Sequence, residues 1–362
     1  MGEWTLRIWA LISDRAGDNA QVLAVAEALQ LPFESRRFAT RPGAIAANLI
    51  GGPSLARGRF TAEAPLAAPW PHLVIAAGTQ SEPILADLAA RAARDGARPR
   101  LVFLGRPWAR LDRYDLIVTT PQYRVPPAGN VLEIDLPLHR VTPERIAAEA
   151  AVWAPRVADL PRPYIAVMLG GPISRYAFDA HTAERIAREA GALAEARGGA
   201  LLVCGGHRTP DAVPARISAA LRVPASVFDW RRAQREGNPY LGFLGLADEI
   251  VVTGDSMSML AEACATGKPV HIFDLGEGRY GMRLPPAPNA AAPRLKTVLL
   301  DLKVRLVQAI LPRRLHRDTR HVHKRLVDGG RAVWLGDLRR AQMRTAASEL
   351  AAVVERVRRL LA

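Results

Sequence analysis

The residues best suited to chemistry lie together in Gly254-Asp-Ser-Met-Ser-Met-Leu-Ala-Glu262, directly after the apolar run Ile250–Thr253. A β-branched run, a turn of small residues and then helix-period residues predict strand, turn and helix. The turn puts Gly254, Asp255, Ser256, Met257 and Ser258 at a helix N-terminus. Free backbone N–H groups and the positive end of the helix dipole favour a phosphate there. Glu262 follows about two turns along the same helix, where a carboxylate can reach the hydroxyls of a ribose. A seat for a diphosphate and an acid for the sugar are what a nucleotide diphosphate sugar requires.

Other turns carry candidate groups of the same kind. In Ile12-Ser-Asp-Arg-Ala-Gly-Asp-Asn-Ala-Gln21, the polar residues Asp14, Asp18 and Asn19, with Gly17, connect a strand to a helix. Such turns line the crevice in which parallel sheets bind ligands. Asp14 or Asp18 is a candidate general base on an acceptor hydroxyl if burial raises its pKa; capping of the helix by Asp18 is the structural alternative. Gly170 and Gly171, in Leu169-Gly-Gly-Pro-Ile-Ser174, let backbone approach a diphosphate closely, although a tight turn explains the pair equally well. The segment is neither a dinucleotide fingerprint nor a phosphate-binding Walker loop. Arg208, in Cys204-Gly-Gly-His-Arg-Thr-Pro210, is a candidate clamp on phosphate oxygens, with His207 facing the same crevice. Asn238, in Asn238-Pro-Tyr-Leu-Gly-Phe-Leu-Gly-Leu246, initiates a turn and is a further substrate-binding candidate, its apolar neighbours reading as core. His139, in Pro137-Leu-His-Arg140, is a candidate acid or base. No metal site is expected, since His321-Val-His323 has no adjacent carboxylate or cysteine. No cofactor is expected either, the nucleotide sugar being a co-substrate.

The elements that must hold these groups alternate. Predicted strands are Thr5–Ile12, His72–Ala77, Arg100–Leu104, Leu116–Thr119 and Val131–Ile134, with helices over Asn19–Gln30, Glu82–Asp95 and Pro143–Asp159. Leu160-Pro-Arg-Pro163 interrupts the pattern, because proline stops helices and extends the residue before it. A second alternation follows, with strands Tyr164–Leu169, Ala200–Cys204, Ser226–Phe228, Glu249–Thr253 and Val270–Phe273. Its helices cover Ala180–Arg197, Asp211–Leu221, Pro239–Leu246 and Met257–Ala265. The expected fold is α/β: two doubly wound parallel-sheet, Rossmann-like domains over residues 1–160 and 161–290, then a basic helical tail over 291–362. The tail follows the Pro-rich segment Leu284–Pro288 and ends in a helix around Asp337–Leu361.

Composition bounds the function classes. At 49% hydrophobic and 23% charged residues, the chain of 362 residues is of ordinary globular type. No apolar run approaches the ~20 residues of a membrane-spanning helix. The N-terminus has no basic leader region, and Leu6 stands where a myristoylation motif has Ser or Thr, so a cytoplasmic location is expected. Cys204 and Cys264 are too few for a disulfide framework and read as reduced core residues. The net charge of +14 is concentrated after residue 290, where 17 Lys/Arg face 6 Asp/Glu. Aromatic residues are too sparse there for single-strand stacking and no nucleic-acid motif appears, so a nucleic-acid partner is not expected. A basic helical region fits an anionic membrane surface, which makes peripheral attachment at the inner membrane the expectation; a solvated face is the alternative.

Four segments, Ile12–Gln21, Pro137–Glu144, Asn238–Leu246 and Thr253–Met259, resemble the "elongated mitochondria" (mitochondrial fission factor) family and its bacterial relatives. The resemblance spans roughly residues 4–275 and leaves the basic tail outside. It implies a fold similar to the two-domain, GT-B type glycosyltransferases, with the sugar nucleotide on the C-terminal domain and no metal. By that likeness Glu262 is the ribose acid, Ser256 and Ser258 sit at the diphosphate, and Gly170 and Gly171 line it. The activity implied is transfer of a sugar from a nucleotide diphosphate sugar to a lipid or glycan precursor. The alternatives are a nucleotide-sugar epimerase on the same fold and a non-catalytic, membrane-associated adaptor.

Overall fold

A computed structural model describes residues 6–40, 60–173, 176–277, 280–284, 295–310, 316–337 and 349–362. Thr5, Ser174, most of the Pro-rich segment and residues 338–348 of the expected last helix lie outside the described residues. The chain divides into two compact units. One contains the described residues up to Arg140, with Arg317 and the C-terminal helix; the other begins at Val141.

The first unit is built on seven strands: β1 (Ile8–Ile12), β2 (Glu34–Thr40), β3 (Phe60–Ala62), β4 (Leu73–Ala77), β5 (Arg100–Leu104), β6 (Leu116–Thr119) and β7 (Val131–Glu133). Their order is β3-β2-β1-β4-β5-β6-β7, parallel except where β3 runs against β2. Strands β1 and β4 are buried along their whole length, which is why each reads as an unbroken apolar run. Alternate residues feed two cores. Ile8, Ala10 and Ile12 meet Val22 and Val25 of helix Ala16–Ala28 and Val353 and Val357 of the C-terminal helix Glu349–Leu361. Trp9 and Leu11 meet Ile84 and Leu88 of helix Glu82–Arg94. Strand β2 is absent from the sequence expectation: Glu34-Ser-Arg-Arg-Phe-Ala-Thr40 offers little apolar alternation.

The second unit has six parallel strands, β8 (Tyr164–Leu169), β9 (Ala200–Gly205), β10 (Ala225–Phe228), β11 (Glu249–Thr253), β12 (Val270–Phe273) and β13 (Val333–Trp334), in the order β10-β9-β8-β11-β12-β13. The edge strand β13 comes from the region expected to be a helical tail, whose described helices are Leu295–Ile310, Arg320–Asp328 and Glu349–Leu361.

The units divide at Arg140/Val141, about twenty residues before the expected boundary. Helix Pro143–Trp153 explains the difference, because it packs on helix Tyr240–Leu246. Glycines bring the two helices together: a Cβ on Gly242 would lie 2.6 Å from Trp153 Cδ1, and one on Gly245 would lie 2.8 Å from Ala150 Cβ. Trp153 also stands edge-on to Phe228 and Phe243. The first of these helices stops at Trp153 instead of continuing to Asp159; a short 3-10 turn containing Pro155 follows, where proline lacks an N–H for a further helical bond.

Each sheet is wound outward in both directions from a central pair, β1/β4 in the first and β8/β11 in the second. These are the topological switch points of doubly wound sheets, whose carboxyl ends open a ligand crevice.

Candidate functional site

At the switch point of the second unit, side chains tie three strand ends together. Thr253 Oγ1 accepts a hydrogen bond from Gly170 N at 2.8 Å and donates to Asp255 Oδ1 at 2.7 Å. Asp255 Oδ2 accepts from Gly171 N at 2.8 Å and from an Arg208 guanidinium nitrogen at 3.3 Å. Thr209 Oγ1 accepts from Gly206 N and lies 2.7 Å from the Gly170 carbonyl, to which its hydroxyl donates. The two glycines are required by these contacts. A Cβ on Gly170 would stand 2.1 Å from Asp255 Oδ2, and one on Gly171 would stand 2.3 Å from the Arg208 carbonyl oxygen. Burial raises the Asp255 carboxyl above its usual range, against the hydrogen bonds from Gly171 and Thr253 and the charge of Arg208. The Arg208 guanidinium is half-exposed, and His207 beside it is exposed.

Helix Met257–Ala265 starts from this point. Ser256 occupies the cap position with extended backbone, and its hydroxyl makes no capping bond. Met257 is buried and Ser258 half-buried in the first turn. Glu262 is half-buried, and burial raises its carboxyl. Its partner is Tyr240, whose hydroxyl donates to Glu262 Oε2 and is itself raised well above the ordinary phenol range by burial. Asn238 is exposed and accepts from Tyr240 N at 3.1 Å, so it shapes the turn that delivers this tyrosine. Tyr240 was legible only as a neighbour of Asn238, and its pairing with Glu262 joins residues 22 positions apart.

His323 packs beneath the same turn. A Cβ on Gly254 would lie 3.2 Å from His323 Cε1, and the ring stands edge-on to Trp334 with centroids 5.4 Å apart. Neither ring nitrogen makes a hydrogen bond of good geometry, and burial lowers the imidazole pKa to about 4. His323 is therefore a neutral packing group at pH 7, separate from the half-exposed His321, which lies 4.0 Å from Asp318.

The first unit's switch point gathers a second group. Asn19 latches the turn after β1, accepting from Ser13 N at 2.9 Å and donating to the Ser13 carbonyl at 2.8 Å. Asp18 lies against Gly78, at the end of β4: a Cβ there would meet Asp18 Oδ2 at 2.2 Å, and the φ of +73° also favours glycine. Burial holds the Asp18 carboxyl above its usual range, while Arg15 and Arg317 draw it down. Asp14 and Gly17 are exposed. Asp18 does not cap helix Ala16–Ala28; Arg15 occupies the cap position, without a side-chain bond. Arg140, the neighbour of the half-buried His139, forks Glu27 at 2.9 and 2.6 Å, on the last turn of that helix, a rise of roughly 14 Å from Asp18.

Sequence reasoning missed the basic and acidic groups around this point. Arg106 donates to the His316 carbonyl at 2.8 Å, and Arg317 Nε donates to Gln122 Oε1 at 2.7 Å, both through long-range contacts. Glu82 is buried and accepts from Trp108 N and Ala109 N at 2.8 and 2.7 Å, clasping the loop after β5. Among the described residues, no cluster of three or more His, Cys, Asp or Glu is placed to hold a metal ion, and no helix is long and apolar enough to cross a membrane. Cys204 is a buried thiol pushed up to about 12, and Cys264 is half-buried, with its Sγ 3.9 Å from the Arg331 carbonyl oxygen.

The family described as mitochondrial fission ELM1 matches residues 16–283 of this chain. The Mitochondrial fission protein ELM1 of Arabidopsis thaliana is 28% identical over 254 residues, covering 62% of this chain and 55% of its own length. Uncharacterized protein RP120 of Rickettsia prowazekii (strain Madrid E) is 28% identical over 110 residues, 30% of this chain and 31% of its own. The chain thus spans about half of the first relative and about a third of the second. Among solved structures, E. coli ADP-heptose lps heptosyltransferase II is similar at a TM-score of 0.41 and 12% identity, over 74% of this chain and 84% of that one. The UDP-GlcNAc 2-epimerase from Methanocaldococcus jannaschii gives 0.41 and 10%, over 90% and 99%. Both likenesses are remote.

Proposed function

We propose that this chain, which belongs to the mitochondrial fission ELM1 family, binds a nucleotide diphosphate sugar at the carboxyl edge of its second sheet and transfers the sugar to an acceptor hydroxyl. One observation carries the reading: the β8/β11 switch point, where such sheets bind ligands, coincides with a helix N-terminus whose cap residue, Ser256, makes no side-chain capping bond. In this proposal the diphosphate takes the N–H groups of Met257 and Ser258 in the first turn, since Gly254 N and Ser256 N already donate to the Phe273 and Thr253 carbonyls, and Arg208 moves from Asp255 to the phosphate oxygens. Glu262 accepts from the ribose hydroxyls, with Tyr240 fixing its rotamer.

The acceptor oxygen bonds to the anomeric carbon as the bond from that carbon to the diphosphate breaks. The nucleoside diphosphate leaves with the electron pair, stabilised by the helix terminus and Arg208. The acceptor's proton goes to a carboxylate acting as general base. Of Asp14 and Asp18, Asp18 is the more buried, and burial raises its carboxyl, which makes it the candidate base among the first unit's residues. The acceptor class is a lipid or glycan precursor at the inner face of a membrane, a reading supported by the excess of 17 Lys/Arg over 6 Asp/Glu after residue 290.

The test is thermal denaturation with UDP, GDP, ADP, CMP and dTDP sugars in metal-free buffer. At about 100 times its dissociation constant, a ligand adds about 2.7 kcal/mol, which raises the melting temperature by several degrees. The expected result is a shift with one nucleotide class that Glu262→Ala abolishes. A flat response to all five would overturn the proposal.

A second reading, a non-catalytic adaptor, draws on internal contacts: the Asp255 carboxylate accounts for Gly170 and the Arg208 carbonyl for Gly171 without any ligand. It predicts no nucleotide shift and no turnover.

A further inference from the structure

Helix Leu295–Ile310 is amphipathic twice over. One face packs inward: Asp301 is buried and pairs with Arg305 at 2.6 Å, and Val304 is half-buried. The opposite face is left to solvent. Leu295, Leu299, Leu302 and Leu306 are 74%, 56%, 63% and 64% exposed. Their spacing of four, three and four residues confines them to one narrow stripe. Among the described residues, only Val152 joins them as an exposed large apolar side chain, so they form a concentrated feature and not ordinary scatter.

Charge distinguishes among surfaces that fit this stripe. Lys303 and Arg305 are exposed and flank it on opposite sides of the helix. In sequence, residues 294–314 hold six basic residues, Arg294, Lys296, Lys303, Arg305, Arg313 and Arg314, against Asp301 alone. A leucine stripe edged with basic side chains matches an anionic lipid surface. The leucines enter the acyl boundary, while long cationic side chains lie along it and reach the headgroups. A second copy of the chain fits less well, because a two-fold pairing of this face would bring the basic flanks together.

We propose that helix Leu295–Ile310 lies in the plane of an anionic membrane and inserts its leucine stripe. This deepens the membrane-surface part of the reading above and is independent of the nucleotide site. The experiment is flotation of the full chain with vesicles of phosphatidylcholine alone and with about a third phosphatidylglycerol, at about 0.1 and 0.5 M salt. Wild type is expected to float with anionic vesicles and to keep part of its binding at high salt. The variant L299S/L302S/L306S is expected to lose roughly tenfold or more of that binding, while its melting temperature and any nucleotide-induced shift stay unchanged, since these side chains face solvent. K303E is expected to weaken flotation at low salt only. Three results would each overturn the proposal: no flotation of wild type, equal flotation of the triple variant, or a wild-type dimer in solution that the triple variant dissolves. A vanished nucleotide shift in wild type, with flotation intact, would instead count against the enzyme alone.

Discussion

Gly170 and His323 show what single residues decide at the second switch point. A methyl group on Gly170 would collide with the Asp255 carboxylate, which cannot retreat without giving up its bonds to Gly171 and Thr253. Gly170→Ala is therefore expected to cost about 1–3 kcal/mol, measured by denaturant unfolding, and Asp255→Ala combined with it should recover part of that loss. His323 gives a pH signature. Its folded pKa of about 4 lies below the ordinary 6.5, so the unfolded chain takes up the proton first. Stability is then complete above pH 6.5 and is lost as pH falls toward 4, by roughly 3 kcal/mol over the window. His323→Leu should remove this component. The difference in melting temperature between variant and wild type is expected to grow as pH falls from 7 to 4, and a constant difference would contradict it.

At the scale of elements, the close pair of helices Pro143–Trp153 and Tyr240–Leu246 depends on glycine. Gly245→Ala would press a methyl group against Ile146 and Ala150 and is expected to cost about 1–3 kcal/mol by calorimetry. Thr142 accepts from Arg145 N at the start of the first of these helices, so Thr142→Ala should cost about 1 kcal/mol. Strands such as Arg100–Leu104 and Glu249–Thr253 appear where their apolar runs predict them, because a strand covered on both faces must be apolar throughout. Strands β2 and β13 were not legible. The first carries Glu34, Arg36 and Arg37, with Phe38 its one deeply buried large side chain, and the second is two residues long. Each is held by pairing to a neighbouring strand, a contact that leaves little trace in local composition.

For the whole molecule, the chain returns to its first unit at the end. Val353, Val354 and Val357 of helix Glu349–Leu361 are buried in the core around helix Ala16–Ala28. Deleting residues 349–362 should destabilise the first unit by about 5 kcal/mol, the worth of three buried valines. Limited proteolysis checks this: cleavage should move to residues before Arg140 while the second unit resists. Equal protection in both would show the helix to be dispensable.

The sequence by itself determined the alternation of strands and helices, the two doubly wound sheets, parallel but for β3, the family, and the turns that end β1, β8 and β11. All of these are written in local periodicity and in glycine and proline positions. Only the tertiary structure decided which groups meet. It sets Asp18 against Gly78, gives Asp255 to Gly171 and Arg208, pairs Tyr240 with Glu262, and anchors Arg140 next to His139 on the far end of a helix. It also moved the unit boundary to Arg140 and left the stripe of Leu295, Leu299, Leu302 and Leu306 uncovered. The reason is physical: backbone preference acts over a few residues, whereas the burial that raises the Asp18, Asp255 and Glu262 carboxyls and lowers His323 is set by residues distant in the chain.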